Sequence, residues 1–449
     1  MTTREAVIDR CREDDIDFVR VFYVDSGGVT RGRVMPAGDI ETVLDEGINF
    51  AQVQQVFTSL DFPVPGTDIS GPVGEVRLLP DPETFTVLPY ADRTAAMLGT
   101  FETLDGEPWA FGPRAQLRRF LDGVEYDPAS AFESEFYLGT RDEEGELVPF
   151  DDSGCFAADG MQSAHDVMTD TVDALEAQGM EFAVYYPEYG PGQQELVVKH
   201  DDGIAPADNH ALYKQTVKSV ASDHDAEATF LPKPFPDQPG SGCHVHVSLW
   251  DDDENAFFDS DTDSRYGLSE TARQFVAGLL DHGRALVALT APTVVSYKRL
   301  KPHMWASAFT CWGEDNREAM IRVPSSSAEN RAASTRVEYK AIDNTANPYL
   351  AMLGILAAGM DGIERDLDPG EPVRQDPDSL SAAERSERGI ERYPETLSEA
   401  LDALEDDAVL RDALGEPLFE SFVAIKRAQW EDFNGSVTDW ELENLRGPF

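Results

Sequence analysis

In the stretch AFESEFYL, residues 131–138, Glu133 and Glu135 stand two positions apart, so an extended chain sends both carboxylates to one face. Phe132, Ser134 and Phe136 take the other face. In CHVHVSLW, residues 243–250, His244, His246, Ser248 and Trp250 face one way and Val245, Val247 and Leu249 the other. In TRVEYKA, residues 335–341, Arg336, Glu338 and Lys340 alternate with Val337 and Tyr339. A fourth stretch, YPEYGPGQQEL, brackets a Gly/Pro turn with Glu188 and Glu195, which brings two more carboxylates towards one centre. Any one of these strands alone reads as a half-exposed strand with a polar outer face. Together they supply five carboxylates, two imidazoles and several guanidinium groups. Oxygen-rich ligation with one imidazole per centre suits Mg²⁺ or Mn²⁺, not structural Zn²⁺. Divalent cations beside arginines describe a polyphosphate site, where both neutralise a transferring phosphoryl group.

A further cluster lies in SYKRLKPHMWASAF, residues 296–309, where Lys298, Arg299 and Lys301 form a candidate clamp for an anion. Trp305 follows it. An indole neither ionises nor accepts a proton, so Trp305 either fills space or forms the wall of a second substrate's path.

The elements that must carry these residues are legible at low resolution. Residues 16–38 read as two strands joined by the Asp25-Ser26-Gly27-Gly28 turn. A short helix is expected over 40–46, followed by strands in EVRLLPDPETFTVLPY. PRAQLRRFL, 113–121, opens a new helical pattern, which places a domain boundary near residue 111 and predicts units 1–110 and 111–449. Beyond it strands and helices alternate. MQSAHDVMTDTVDALEAQG is expected as a helix with an apolar face of Met161, Val167, Met168, Val172 and Leu175. HALYKQTVKSVASDH and the apolar run Pro348–Ile363 are further helices. DLDPGEPVRQDPDS is an acid-rich loop, and Leu397, Leu401 and Leu404 mark a C-terminal helical region. No GxxxxGK[ST] or GxGxxG phosphate loop is present.

With 36 basic against 85 acidic residues, the formal net charge is −49, so nucleic acid and anionic membranes are repelled. Disorder is the usual alternative for so acidic a chain, but 24 Phe, 13 Tyr and 6 Trp favour a folded protein from a high-salt cytoplasm. No apolar run approaches the roughly 18 residues needed to span a bilayer, and the N-terminus lacks a secretory signal's apolar segment. Four scattered cysteines without CxxC spacing read as reduced thiols. A cytoplasmic location is expected.

The motifs KPFPDQPGSGCHVHVSLW, SYKRLKP, WGEDNREAMIRVP, RVEYKAIDNTANPYLAMLGILAAGMDGI and the GQQE turn resemble those of the glutamine synthetase family, in the family's order and over nearly the whole chain. The resemblance implies an α+β fold, with an N-terminal β-grasp domain and a catalytic domain whose antiparallel strands form an incomplete barrel surrounded by helices. It also implies hexameric rings, usually stacked as a dodecamer, with active sites between neighbouring subunits. It assigns one metal, Mg²⁺ or Mn²⁺, to Glu135, Glu188 and Glu195, and the other to Glu133, His244 and Glu338. His246 and Ser248 fall at nucleotide contacts. Arg317, Arg322 and Arg336 fall where arginines hold ATP phosphates and the transition state, while Gly240 and Arg299 fall at the amino-acid substrate. ATP as co-substrate would phosphorylate the side-chain carboxylate of glutamate, and a nitrogen nucleophile would then displace phosphate.

Three departures shape the expected function. Trp305 occupies the place of the glutamate that helps ammonia-using members bind ammonium and take its proton. Ala51, in GINFAQVQQ, occupies that of an aspartate with a related role. Lys340 ends the RVEYK motif where arginine is usual, and Pro239 replaces an asparagine. Lys340 keeps a charge but loses the two-pronged geometry that suits a carboxylate. Family members lacking the ammonium carboxylates commonly ligate polyamines, ethanolamine or methylamine, so a γ-glutamyl–amine ligase is expected. An ammonia-using glutamine synthetase with a rearranged site and a non-catalytic regulatory paralogue are the alternatives.

Overall fold

The computed structural model describes residues 2–262, 266–327 and 329–447. Met1 and residues 448–449, the outer ends of the two expected units, lie outside the described residues.

Residues up to 102 build a six-stranded sheet. Its order runs Thr30–Pro36, Phe18–Val24, Thr94–Glu102, Glu75–Pro80, Ile48–Ala51, with Thr86–Val87 added on Thr94–Glu102. Phe18–Val24 and Thr94–Glu102 pair in parallel, while the expected hairpin is antiparallel and joins Val24 to Thr30 across the Asp25–Gly28 turn. The short helix Ile40–Glu46 covers this sheet.

The second sheet has eleven strands and curls into a half-barrel. Its main path is Trp312–Glu314, Ile321–Val323, Val337–Tyr339, Cys243–Asp251, Asp127–Arg141, Gln193–Val198, Phe182–Pro187. Every neighbour on that path is antiparallel except the first two strands, which run parallel. The alternation expected from sequence holds on all three polar-faced strands. Phe132 and Phe136, Val245, Val247 and Leu249, and Val337 and Tyr339 are buried in one apolar core, leaving the glutamates and histidines on the opposite face.

Helices pack the apolar side. From Pro348 to Gly359 the helix Pro348–Glu364 is apolar all round and buried all round, and only its last turn carries charge, at Asp361 and the exposed Glu364. Asn347 caps it, accepting from the N–H groups of Tyr349 and Leu350, and Pro348 supplies a first-turn residue that needs no acceptor. It crosses Glu270–Asp281 so closely that a β-carbon on Gly278 would lie 2.1 Å from the Ala358 carbonyl, so only glycine fits there. The helix expected over 161–179 is broken at Ala164 into Ala158–Ser163 and His165–Ala177. Val167, Met168 and Leu175 are buried as expected. Met161 falls in the short leading piece and is exposed.

The helix Glu416–Gly435 joins the two sheets' cores, placing Leu418 and Phe422 in one and Ile425 in the other. Its Lys426 donates to the Gly27 carbonyl at 3.0 Å, and Asn347 donates to that of Asp25 at 2.8 Å, so the first hairpin's turn is tied to the second sheet's helices.

Candidate active site

The polar faces of the half-barrel meet in a cavity of about 480 Å³. Strand register decides which groups meet. Glu135 stands opposite Glu195, Glu133 opposite His244, and His246 opposite Glu338, which in turn stands opposite Arg322. Glu188 reaches the same space from the end of the neighbouring hairpin. Of the expected site residues, Glu133, Glu135, Glu188, Glu195, Gly240, His244, Arg299, Trp305, Arg317, Arg322, Glu338 and Lys340 line the cavity, and Pro239 lines it with them. His246, Ser248 and Arg336 stand beyond it. Arg336 Nε donates to His246 Nδ1 at 2.9 Å, and Ser248 Oγ accepts from the Trp250 indole at 3.0 Å. Ala51 is exposed on the other sheet and does not line this cavity.

The three-cation clamp resolves into a single residue. Arg299 is buried and lines the cavity, its Nη1 donating to the Ile342 carbonyl at 2.9 Å. Lys298 points outward over the Phe433 ring, and Lys301 is exposed. The four-residue helix Ser296–Arg299 can turn only one of these neighbours inward. A β-carbon on Gly240 would lie 2.8 Å from Arg299 Cγ, so glycine there admits the arginine stem.

Three carboxylates at one end, Glu135, Glu188 and Glu195, are crowded. Burial, reinforced by Glu135, pushes Glu188 up to about 7. Burial, with Glu135 and Glu133 beside it, raises Glu195 well above the ordinary carboxylate range. Tyr186 donates to Glu195 Oε1 at 2.6 Å. Gly242 N–H and Gln193 Nε2 donate to Glu135 Oε2 at 2.9 and 3.2 Å. Three carboxylates gathered at one end of the cavity, with no cationic side chain in ion-pair contact among the described residues, fit a divalent cation.

The other end is already rich in cations. Glu338 is fully buried, with His244 Nδ1 3.2 Å and Lys340 Nζ 3.4 Å from Oε1, and Arg322 Nη1 2.8 Å from Oε2. Burial opposes its ionisation, but Lys340 and the two histidines outweigh it and hold the group well below the usual range. Burial and Lys340 lower His244. Ligand atoms of Glu133, His246 and Glu338 lie within 4.8 Å of one another, so the geometry gathers His246 with the two carboxylates. His244 stands beside them, 4.0 Å from Glu133, with Lys340 and Arg299 on its far side. His246 Nε2 is 2.9 Å from Glu133 Oε1 yet makes no hydrogen bond with it. A buried ring nitrogen facing carboxylates without a hydrogen bond is a donor set suited to a cation.

The cavity mouth is aromatic. Trp305 is half exposed, packs edge-on against Tyr189 at 5.3 Å, and has the Arg317 guanidinium 5.7 Å above its ring. Phe156 continues the wall against Tyr186 and Tyr189. His303, Trp305 and Ser307 all hold left-handed backbone (φ +63°, +54° and +64°), and Glu318 accepts the Trp305 N–H at 2.9 Å.

Residues 111–445 match "Glutamine synthetase, catalytic domain", and residues 3–109 match "Glutamine synthetase N-terminal domain". The chain belongs to the glutamine synthetase family. The glutamine synthetase of Halobacterium salinarum is 38% identical over 99% of this chain and 96% of its own length. That of Methanococcus maripaludis is 36% identical over 99% of each. A solved GmaS–ADP complex superposes with a TM-score of 0.87 at 31% identity, covering 99% of this chain and all of that one. Apo GmaS gives 0.86 at 32% identity over all of both chains. Glutamine synthetase family members are ligases that use ATP and divalent metals, bind small molecules and are typically oligomeric. Among the described residues no helix is long and apolar enough to cross a membrane.

Several site groups of this family member escaped the reading of its sequence. Tyr186, Tyr189, Gln193 and Phe156 lie in the same hairpin or face it, but neutral side chains carry no charge pattern to mark them. The alternation of Tyr186 with Glu188 was the available signal.

Proposed function

We propose that this chain is an ATP-dependent ligase that phosphorylates the γ-carboxylate of glutamate and joins it to an amine larger than ammonia. The observation that carries this reading is Trp305. Where an ammonium pocket needs a carboxylate, the cavity mouth presents an indole backed by Tyr189 and flanked by Arg317. An aromatic face covers an alkyl chain and attracts a cationic amine by about 0.5–2 kcal/mol. The likeness to GmaS, a γ-glutamylmethylamide synthetase, supports the same direction.

In this reading Glu135, Glu188 and Glu195 hold one Mg²⁺ or Mn²⁺, and Glu133, Glu338 and His244 hold the second. His246, whose Nε2 lies 2.9 Å from Glu133 Oε1, then reaches the nucleotide together with Ser248 and Arg336. The metals supply charge neutralisation for phosphoryl transfer. Arg317, Arg322 and Arg336 stabilise the transferring phosphoryl group, and Arg299 with Gly240 receives the amino acid. Lys340 lines the cavity against Glu338 and His244, and its single ammonium lacks the fork that an arginine would offer a substrate carboxylate. The domains, 1–110 and 111–449, assemble as hexameric rings stacked in a dodecamer, in a cytoplasm whose salt screens the −49 charge. Dialysis to low ionic strength, followed by sedimentation, is expected to dissociate the rings; intact rings there count against the high-salt reading.

The deciding experiment is phosphate release with ATP, glutamate and Mg²⁺ or Mn²⁺ over methylamine, ethanolamine, putrescine, longer polyamines and ammonia in high salt. A larger amine should exceed ammonia in kcat/KM. Efficient glutamine formation with no better amine would instead establish an ammonia-using enzyme, as the names of the curated relatives suggest. No turnover with any acid or amine would point to a regulatory paralogue.

A further inference from the structure

Behind the metal face, on the apolar side of the half-barrel, lies a buried polar knot that the proposed chemistry does not use. Its centre is Asn344, 3% exposed, in the segment that follows the Val337–Tyr339 strand. The Asn344 amide nitrogen donates to two backbone carbonyls, those of Glu135 at 2.9 Å and Gly242 at 3.0 Å. Its amide oxygen accepts from the Ser134 hydroxyl at 3.1 Å, and its own backbone carbonyl accepts from the buried Lys214 ammonium at 3.1 Å. Both N–H donors are used and the amide orientation is fixed by Ser134.

The position of this amide gives it a consequence. Glu135 lies on the Asp127–Arg141 strand, and Gly242 enters the Cys243–Asp251 strand that carries His244. Ladder pairing between these strands begins at Ser134 and Cys243. One step further on, the Glu135 N–H donates to the Gly242 carbonyl at 3.1 Å, and the Gly242 N–H donates to the Glu135 carboxylate at 2.9 Å. The two strands separate here, and the Asn344 amide spans the point of separation. It comes from the segment continuing Glu338's strand, so one side chain joins the three strands that bear Glu133 and Glu135, His244, and Glu338.

We propose that Asn344 is a positioning residue for the divalent cation held by Glu135, fixing through two backbone carbonyls the distance between the Glu135 strand and the entry to the histidine strand. The inference rests on the two-metal reading. Groups that orient metal ligands from behind typically change metal affinity by 10- to 100-fold when removed. Asn344→Asp keeps the volume but sets an oxygen against two carbonyl oxygens. Ser134→Ala keeps the amide but frees it to rotate.

The test is Mn²⁺ binding in high salt, read from the paramagnetic resonance signal of the free ion, on the full-length protein and both variants. Thermal unfolding is measured in EDTA. The unmodified protein should bind Mn²⁺ without nucleotide. Asn344→Asp should bind it about ten-fold or more weakly, with turnover lost at low Mn²⁺ and recovered at high Mn²⁺. Ser134→Ala should show a smaller weakening in the same direction and keeps the proposal testable if Asn344→Asp does not fold. A purely structural role lowers the unfolding midpoint in EDTA and leaves the Mn²⁺ affinity of the folded protein unchanged; that result, in either folded variant, overturns the proposal. Failure of the unmodified protein to bind Mn²⁺ overturns the two-metal reading itself, and this inference with it.

Discussion

Glu135 and Glu195 are direct cross-strand partners, so two carboxylates that are buried or nearly so share one edge of the cavity. Like charges placed directly opposite each other destabilise a strand pair. Under the two-metal reading a bound cation relieves this repulsion, whose size depends on pH.

Glu188, pushed up to about 7, and Glu195, also raised by burial and its neighbours, keep protons in the folded protein that the unfolded chain releases near the ordinary glutamate value of about 4.3. The folded state binds more protons over that interval. The stability of the metal-free protein therefore falls as pH rises from about 4.3 through about 7. Cation binding needs the deprotonated groups. Calorimetry with EDTA and with Mg²⁺ should show a larger metal-induced rise in Tm near pH 8 than near pH 5.5. A rise that is the same at both would separate these carboxylates from the metal.

Glu195→Gln and Glu338→Gln should both abolish ligation while shifting stability in opposite directions. Removing the Glu195 charge relieves repulsion, so metal-free Tm should stay level or increase. Removing that of Glu338 strands Lys340 and Arg322, both buried or nearly so, at a cost of about 3–5 kcal/mol. Glu135→Ala should lose activity and stay folded. Full ligation activity in any of the three would remove that residue from the metal set.

Trp305→Ala should raise KM for the amine by about 2- to 30-fold, the span of a cation–π contact, and leave KM for ATP nearly unchanged. Trp305→Glu should increase ammonia use relative to the amine. Parallel changes in both Michaelis constants would mean the indole supports the whole cavity instead of one substrate.

Arg299 and Lys298 are adjacent in sequence and opposite in role. Arg299→Ala should raise KM for the acid by at least ten-fold, because a charge-assisted contact of about 1.5–3 kcal/mol is lost. Lys298→Ala, whose side chain lies outside over Phe433, should alter it by less than about two-fold. Equal effects would restore the three-cation clamp.

Much of this site was legible because strand geometry has a period of two. Once Phe132, Val245 and Val337 are read as inward, Glu133, His244 and Glu338 have only one face left. The family motifs then suggested how these groups divide between two metals, a division carried as part of the proposed function. What stayed hidden depended on long-range placement. The inward turn of Arg299 alone follows from a four-residue helix seated on Gly240, and nothing in SYKRLKP ranks its three cations. The break at Ala164 that exposes Met161 lies inside a periodic run without Gly or Pro. Tyr186, Gln193 and Asn344 act through neutral hydrogen bonds, whose partners lie 9, 58 and 209 residues away.

The Trp305 loop is anchored by its backbone. Glu318 takes the Trp305 N–H, and three left-handed residues set the path of the chain, while the indole ring meets Tyr189 and Arg317 at the mouth. The side chain at position 305 can therefore be exchanged without displacing the carboxylates or Arg299, which rest on other elements. Under the proposed reading, choice of nucleophile and activation of the acid are inherited separately. A lineage can acquire a new amine by a single codon change at the rim, keeping the phosphorylating end that took a whole sheet to build.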